Sequence, residues 1–281
     1  MSERVLAVLF AALLIGAAPA STLPPLRETQ RLLADRVTLV LASNGQPAAS
    51  TVDYARIAGY PDGREQLAKA RKELLAIKPA KLDARARRAW AINVYNLLVI
   101  DAIVRYGFPG GGMPAGVKEM RIDGKGFFEA PLAKIEDRTW SLDAFEKHYL
   151  FDDFDRASGQ APPPTLDPRI HFAIVCGARG CPPLLDQPYR PETLDAQLDR
   201  ATRGALSGSK HLRWSGEPPT LQASGIFEWY AADFGGPAGA LKFLIAHAPQ
   251  SMSKAISAAR LDHIPAFIEW DWALNQTVPP R

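Results

Sequence analysis

Asp83-Ala84-Arg85-Ala86-Arg87-Arg88-Ala89-Trp90-Ala91-Ile92-Asn93-Val94-Tyr95-Asn96-Leu97-Leu98-Val99-Ile100-Asp101-Ala102-Ile103-Val104-Arg105-Tyr106-Gly107 is the longest helical pattern in the chain. Asp83 stands where an N-cap belongs, and Gly107 supplies the residue just past the end. The apolar run Leu97 to Val104 is broken by Asp101 and followed by Arg105, so it does not read as a membrane span, which needs about 20 apolar residues. Asn93 and Asn96 lie three apart and share a face with Trp90 and Leu97. Amides on an apolar face need partners, because an unpaired buried amide costs about 1–3 kcal/mol. Either these amides tie down backbone groups of a neighbouring loop, or one of them orients a catalytic imidazole, as an Asn does in cysteine hydrolases.

The flanking segments alternate short strands with helices. Arg27 to Ala42 has helical spacing and ends at Asn44-Gly45, and Arg64 to Ile77 repeats the pattern. Ala133 to Trp140 reads as a hairpin turning at Glu136-Asp137, and Ser141 caps a helix through Leu150. Pro191 to Leu206 reads as a helix, and His211 to Trp214 with Thr220 to Gln222 as a second hairpin. Two or three helices span Gly225 to Ala259, and Pro265 to Trp270 reads as a closing strand. Short strands scattered among helices predict an α+β fold: a predominantly helical single domain over residues 21–281, around a small, mainly antiparallel sheet. No βαβ rhythm or phosphate-binding Gly loop is present, which disfavours a nucleotide-binding fold.

Ile170-His171-Phe172-Ala173-Ile174-Val175-Cys176-Gly177-Ala178-Arg179-Gly180-Cys181-Pro182-Pro183 holds both cysteines and one of the five histidines. It reads as an apolar strand entering a Gly-rich loop. A thiol, an imidazole and unobstructed backbone N–H groups meet here, the parts of a nucleophile with its base and oxyanion donors. The same residues also read as a disulfide stapling a loop.

The N-terminus bears on that choice. Arg4, the apolar run Val5 to Ile15 and Ala18-Pro19-Ala20 have the form of a secretory signal over residues 1–20, cleaved after Ala20. The expected location is periplasmic or secreted, with no membrane segment after cleavage. Two cysteines, an even count, in an oxidising compartment predict a Cys176–Cys181 bond. The composition is that of an ordinary globular protein, 47% apolar and 22% charged. A net charge of +3 without a dense Lys/Arg tract disfavours nucleic acid as a partner.

Five separated blocks carry a resemblance. They are Trp90 to Asn96, Trp140 to Glu146, His171 to Pro182, Ile226 to Gly235, and Asp271 to Asn275. In that order they resemble the family designated domain of unknown function 547, DUF547, over about residues 60 to 275. With the leader, the resemblance implies an exported bacterial member; it implies no reaction. Members usually carry a histidine directly after the glutamate matching Glu146, whereas this chain has Lys147 and then His148.

On a regular strand His171 and Cys176, five apart, face opposite sides, whereas Cys181 lies beyond a loop that folds back. Cys181 with His171 is therefore the better nucleophile–base pair, with Glu146 or Asn93 orienting the ring and the Gly177–Gly180 amides as oxyanion donors. Zinc is disfavoured, since Cys176, Cys181 and His171 match no familiar zinc spacing and lack a fourth ligand; no cofactor is expected. Phe227, Tyr230 and Phe234 repeat at the spacing of one buried helix face, and with Trp229 they read as core rather than as a carbohydrate platform. Two function classes follow. One is an exported cysteine-dependent hydrolase or acyltransferase acting on amide or peptide bonds, with a small-molecule or peptide substrate. The other is a non-enzymatic envelope binding or structural module with a Cys176–Cys181 disulfide.

Overall fold

The computed structural model describes residues 22–108, 112, 114–151 and 166–277. The expected leader over residues 1–20 and its expected cleavage site lie outside them. The long helix runs Ala84–Tyr106, and the Asp83 carboxylate accepts from the Ala86 N–H at 2.7 Å. From Ala86 to Val104 every residue except Arg88 is buried. A helix apolar on all sides is covered on all sides, so the other elements pack around this one. Asp101, which interrupts its apolar run, accepts from Arg105 Nη2 at 2.5 Å and Arg71 Nε at 3.1 Å.

The fold is α+β and predominantly helical, with small and mainly antiparallel sheets. Strand content is divided among several pieces rather than gathered in one sheet. β1 (Val37–Leu41) pairs with β2 (Pro47–Val52), β3 (Arg121–Ile122) with β4 (Lys125–Gly126), and β5 (Ala133–Ile135) with β6 (Arg138–Trp140), all antiparallel. β7 (Leu212–Gly216), β8 (Pro219–Ser224) and β9 (Ala266–Ile268) form a three-stranded sheet in which β8 and β9 run parallel. Among the described residues no helix is long and apolar enough to cross a membrane.

Two sequence expectations fail here. The helix from Arg27 stops at Arg36, and Val37–Leu41 is β1. β-Branched Val37, Thr38 and Val40 fit a pleated surface, and Asn44-Gly45, expected as a helix stop, lies in the hairpin turn to β2. The segment at Ile170 is not a strand: Pro168–Phe172 is a 3₁₀ turn. Pro168 presets its first position, and the Asp167 carboxylate caps the Arg169 N–H at 3.0 Å. Residues 173–176, which follow, form no strand ladder. Their backbone groups bond instead to Asn96, whose Nδ2 donates to Ala173 O at 2.9 Å and whose Oδ1 accepts from Val175 N–H at 2.9 Å.

Buried apolar residues fall into two clusters, one around the long helix and one under the β7–β9 sheet. Trp270 packs against both. The neighbours His171 and Phe172 sit where the clusters meet, and there the chain leaves a cleft.

Candidate functional site

The Gly-rich loop is hooked onto the C-terminal segment. Arg179 N–H donates to Ala273 O at 2.7 Å, Gly180 N–H to Asp271 O at 2.8 Å, and Asn275 N–H to Gly177 O at 3.0 Å. Gly177 has φ +80°, so the backbone demands glycine, and a Cβ there, 2.5 Å from Ile103 Cδ1, would also push the Ile103 side chain aside. The loop folds back as predicted and closes the Cys176–Cys181 disulfide, with Cα atoms 6.2 Å apart. That lies inside the usual bridging range of roughly 4.4–6.8 Å. So short a closed loop contributes chain entropy at the low end, about 2 kcal/mol.

The disulfide lies against a cavity of about 220 Å³. Trp229, Trp270 and Trp272 form one wall, with ring centroids 4.9 Å apart for Trp229–Trp270 and 6.4 Å for Trp229–Trp272. Trp229 ends the short helix Ile226–Trp229 and is 50% exposed. Tyr95 from the long helix, Tyr230 and His171 also line the cavity.

His171 and Tyr230 of that lining connect to polar groups behind it. His171 Nε2 meets Asp233 Oδ2 at 2.9 Å, and the imidazole stacks on Tyr230 with centroids 4.0 Å apart. Tyr230 O–H donates to Glu146 Oε1 at 3.4 Å, and Tyr95 also bonds to that carboxyl. Burial pushes the Glu146 carboxyl up to about 7; the two tyrosine hydrogen bonds oppose this and the Asp143 charge adds to it. Burial also lowers the His171 pKa, against the pull of Asp233. A neutral His171 donates Nε2–H to Asp233 and keeps its lone pair on Nδ1. His171 Nδ1 and Trp270 Nε1 are buried and have no hydrogen-bond partner among the described residues. Glu146 and the His171–Asp233 pair thus meet at Tyr230, one through its hydroxyl and the other through its ring face.

The four residues singled out from the sequence divide here. His171 lies on the cleft. Glu146 is beside it, but it reaches Tyr230 and Tyr95 rather than the imidazole; the carboxylate on His171 is Asp233. Asn93 is elsewhere in function: its Nδ2 donates to Tyr189 O and its Oδ1 accepts from Tyr189 N–H, each at 2.8 Å. Both amide ends are occupied, so Asn93 orients no imidazole. Cys181 faces the cavity, but it is 4% exposed and its sulfur is bonded to Cys176, so it is neither a thiolate nor a metal ligand as it stands. Arg179 N–H and Gly180 N–H serve the loop hook and are not oxyanion donors.

Other site residues escape sequence reasoning. Asp233 lies 62 positions from His171, and no periodicity joins them. Phe227 and Phe234 are core, as read, with centroids 4.9 Å apart. The helix ends at Trp229, however, so Trp229 and Tyr230 turn to the cleft instead. Glu146–Leu150 is π-helical. That wider turn, frequent at functional sites, carries Glu146, which bonds to the cleft residues Tyr230 and Tyr95, while His148 stacks on Trp140 with centroids 4.7 Å apart.

Residues 79–204 match the family model described as a protein of unknown function, DUF547. The match covers the blocks at Trp90, Trp140 and His171, and so contains Tyr95, Glu146, His171 and both cysteines. Asp233 and the three cleft tryptophans lie beyond it. No curated protein matches the chain. No solved structure matches it.

Proposed function

We propose that this chain is an exported ligand-binding module and that the aromatic cleft over the Cys176–Cys181 bond is its binding site. The observation that carries the reading is a coincidence in one cavity. A closed disulfide lies against it, and two of its lining residues hold buried polar atoms, His171 Nδ1 and Trp270 Nε1, without partners among the described residues. A buried unsatisfied polar atom costs about 1–3 kcal/mol, and a ligand that shifts the cover over one of them and brings a hydroxyl or carbonyl to it recovers that cost. Trp229 and Trp272 add ring faces for a flat apolar group. The expected occupant is a small molecule or peptide group with one such face and one polar atom.

The alternative is a cysteine-dependent hydrolase or acyltransferase acting on amide or peptide bonds. It needs Cys181 as a thiolate, and a sulfur bonded to sulfur is not one. Titration of the chain from residue 21 onward with a library of small hydroxyl- and amide-bearing ring compounds, followed by indole ¹H–¹⁵N spectra, tests the binding reading. Hits that move the Trp270 indole resonance and are lost in Trp229→Ala are expected. Hits scattered over the surface with that resonance unmoved refute it.

A further inference from the structure

We propose that the Cys176–Cys181 bond is a thiol-exchange centre with a fixed polarity: an incoming thiolate attacks Cys176 Sγ, and Cys181 Sγ leaves. The inference does not rest on the ligand reading above, since it concerns the sulfurs and not the tryptophans.

Three observations carry it. The bond is reachable: both cysteines line the cavity, and Cys176 is the more accessible, being half-buried against 4% exposure for Cys181. Exchange requires such access to the attacked sulfur. The bond is also asymmetric. Cys176 N–H and Ala178 N–H both point to Cys181 Sγ, at 3.1 and 3.3 Å. Charge develops on the leaving sulfur, and hydrogen bonds to a charged acceptor are the stronger kind, so these amides favour departure of Cys181. Finally, the loop does not depend on the bond for its shape. Three backbone hydrogen bonds to the Asp271–Asn275 segment and the Asn96 clamp hold both sides of it. Opening the bond therefore leaves the amides aimed at the released sulfur.

The chemistry balances with a dithiol as the second reactant. One of its thiolates attacks Cys176 Sγ; the new S–S bond forms as the Cys176–Cys181 bond breaks, and Cys181 departs as thiolate. The second thiol of the reactant, as thiolate, attacks its own sulfur in the mixed disulfide and releases Cys176. Two electrons pass from the dithiol to the protein, the dithiol ends as a disulfide, and its two protons end on Cys176 and Cys181. The substrate class is a small dithiol or a peptide with a reduced cysteine pair, able to enter beside Trp229.

The test uses the oxidised chain without denaturant. Reduced glutathione is added, the reaction is quenched with acid, and the mixed disulfide is mapped by mass spectrometry. The glutathione adduct is expected on Cys176, with the near-UV circular dichroism unchanged. In Cys181→Ser, which has lost the returning sulfur, the adduct formed with glutathione disulfide should persist on Cys176. The wild-type mapping decides the matter if that variant does not fold. An adduct on Cys181, or a bond that opens only once urea has unfolded the chain, overturns the proposal.

Discussion

At the scale of single residues, burial gives Glu146, behind the cleft lining, and His211, outside that lining, opposing pH dependences. Glu146 titrates near 7 in the folded chain and near 4.5 when unfolded. The folded state thus holds a proton that the unfolded state releases between those values, and stability falls as pH rises through that window. Glu146→Gln removes the penalty. Its stability relative to wild type should therefore rise from pH 5 to pH 8, by about 1–3 kcal/mol in urea melts. A constant gap at both pH values contradicts the assigned environment. His211 has the opposite sign. It is fully buried, its Nδ1 lies 3.1 Å from Ser224 Oγ, and burial lowers its pKa to about 4. The unfolded chain takes up a proton there first, so stability drops as pH falls from about 6.5 toward 4. His211→Gln should flatten that acid limb in the same melts, and an unaltered limb places the acid sensitivity elsewhere. Gly177→Ala meets both a left-handed backbone and Ile103 Cδ1; a loss of about 2 kcal/mol or more in thermal unfolding is expected.

Elements explain what the sequence reveals and what it hides. The Ala84–Tyr106 helix is legible because its cap, length and apolar run are local signals. The Ala133–Trp140 hairpin and the Ser141 cap are legible for the same reason, and the structure has both. The segment at Ile170 is misread because its β-rich composition is overruled by two features, the Asp167-Pro168 cap and the Asn96 side chain that stands in for a partner strand. Asn93 and Asn96 act as clamps at the backbones of Tyr189 and of Ala173 and Val175. Replacing Asn96 by Ala orphans two buried backbone groups, for an expected loss of about 2–5 kcal/mol in urea unfolding. Asn93→Ala should be comparably destabilising while leaving the His171 imidazole resonances in place. Movement of those resonances in Asn93→Ala, without a stability loss, restores the orienting role.

Across the whole molecule, the site forms where two hydrophobic clusters meet, and its parts come from distant stretches. Tyr95 is on the long helix, Glu146 on the π-helical turn, the disulfide on the Gly-rich loop, Asp233 past the Ile226–Trp229 helix, and Trp270 and Trp272 after β9. That dispersion is why His171, Glu146 and the cysteine pair can be picked out from local chemistry while Asp233 and the tryptophan wall cannot. The wall takes shape only when the C-terminal segment docks on the Gly177–Gly180 loop. The proposed binding cleft belongs to one state of this assembly, the oxidised one, in which Cys181 is bonded to Cys176 and is not a nucleophile. A non-reducing peptide map of the protein recovered from its native host tests that state directly. It should contain Cys176 and Cys181 joined, with neither alkylated before reduction. Both thiols alkylated without reductant would contradict the account and return Cys181 to the position of an available nucleophile beside His171.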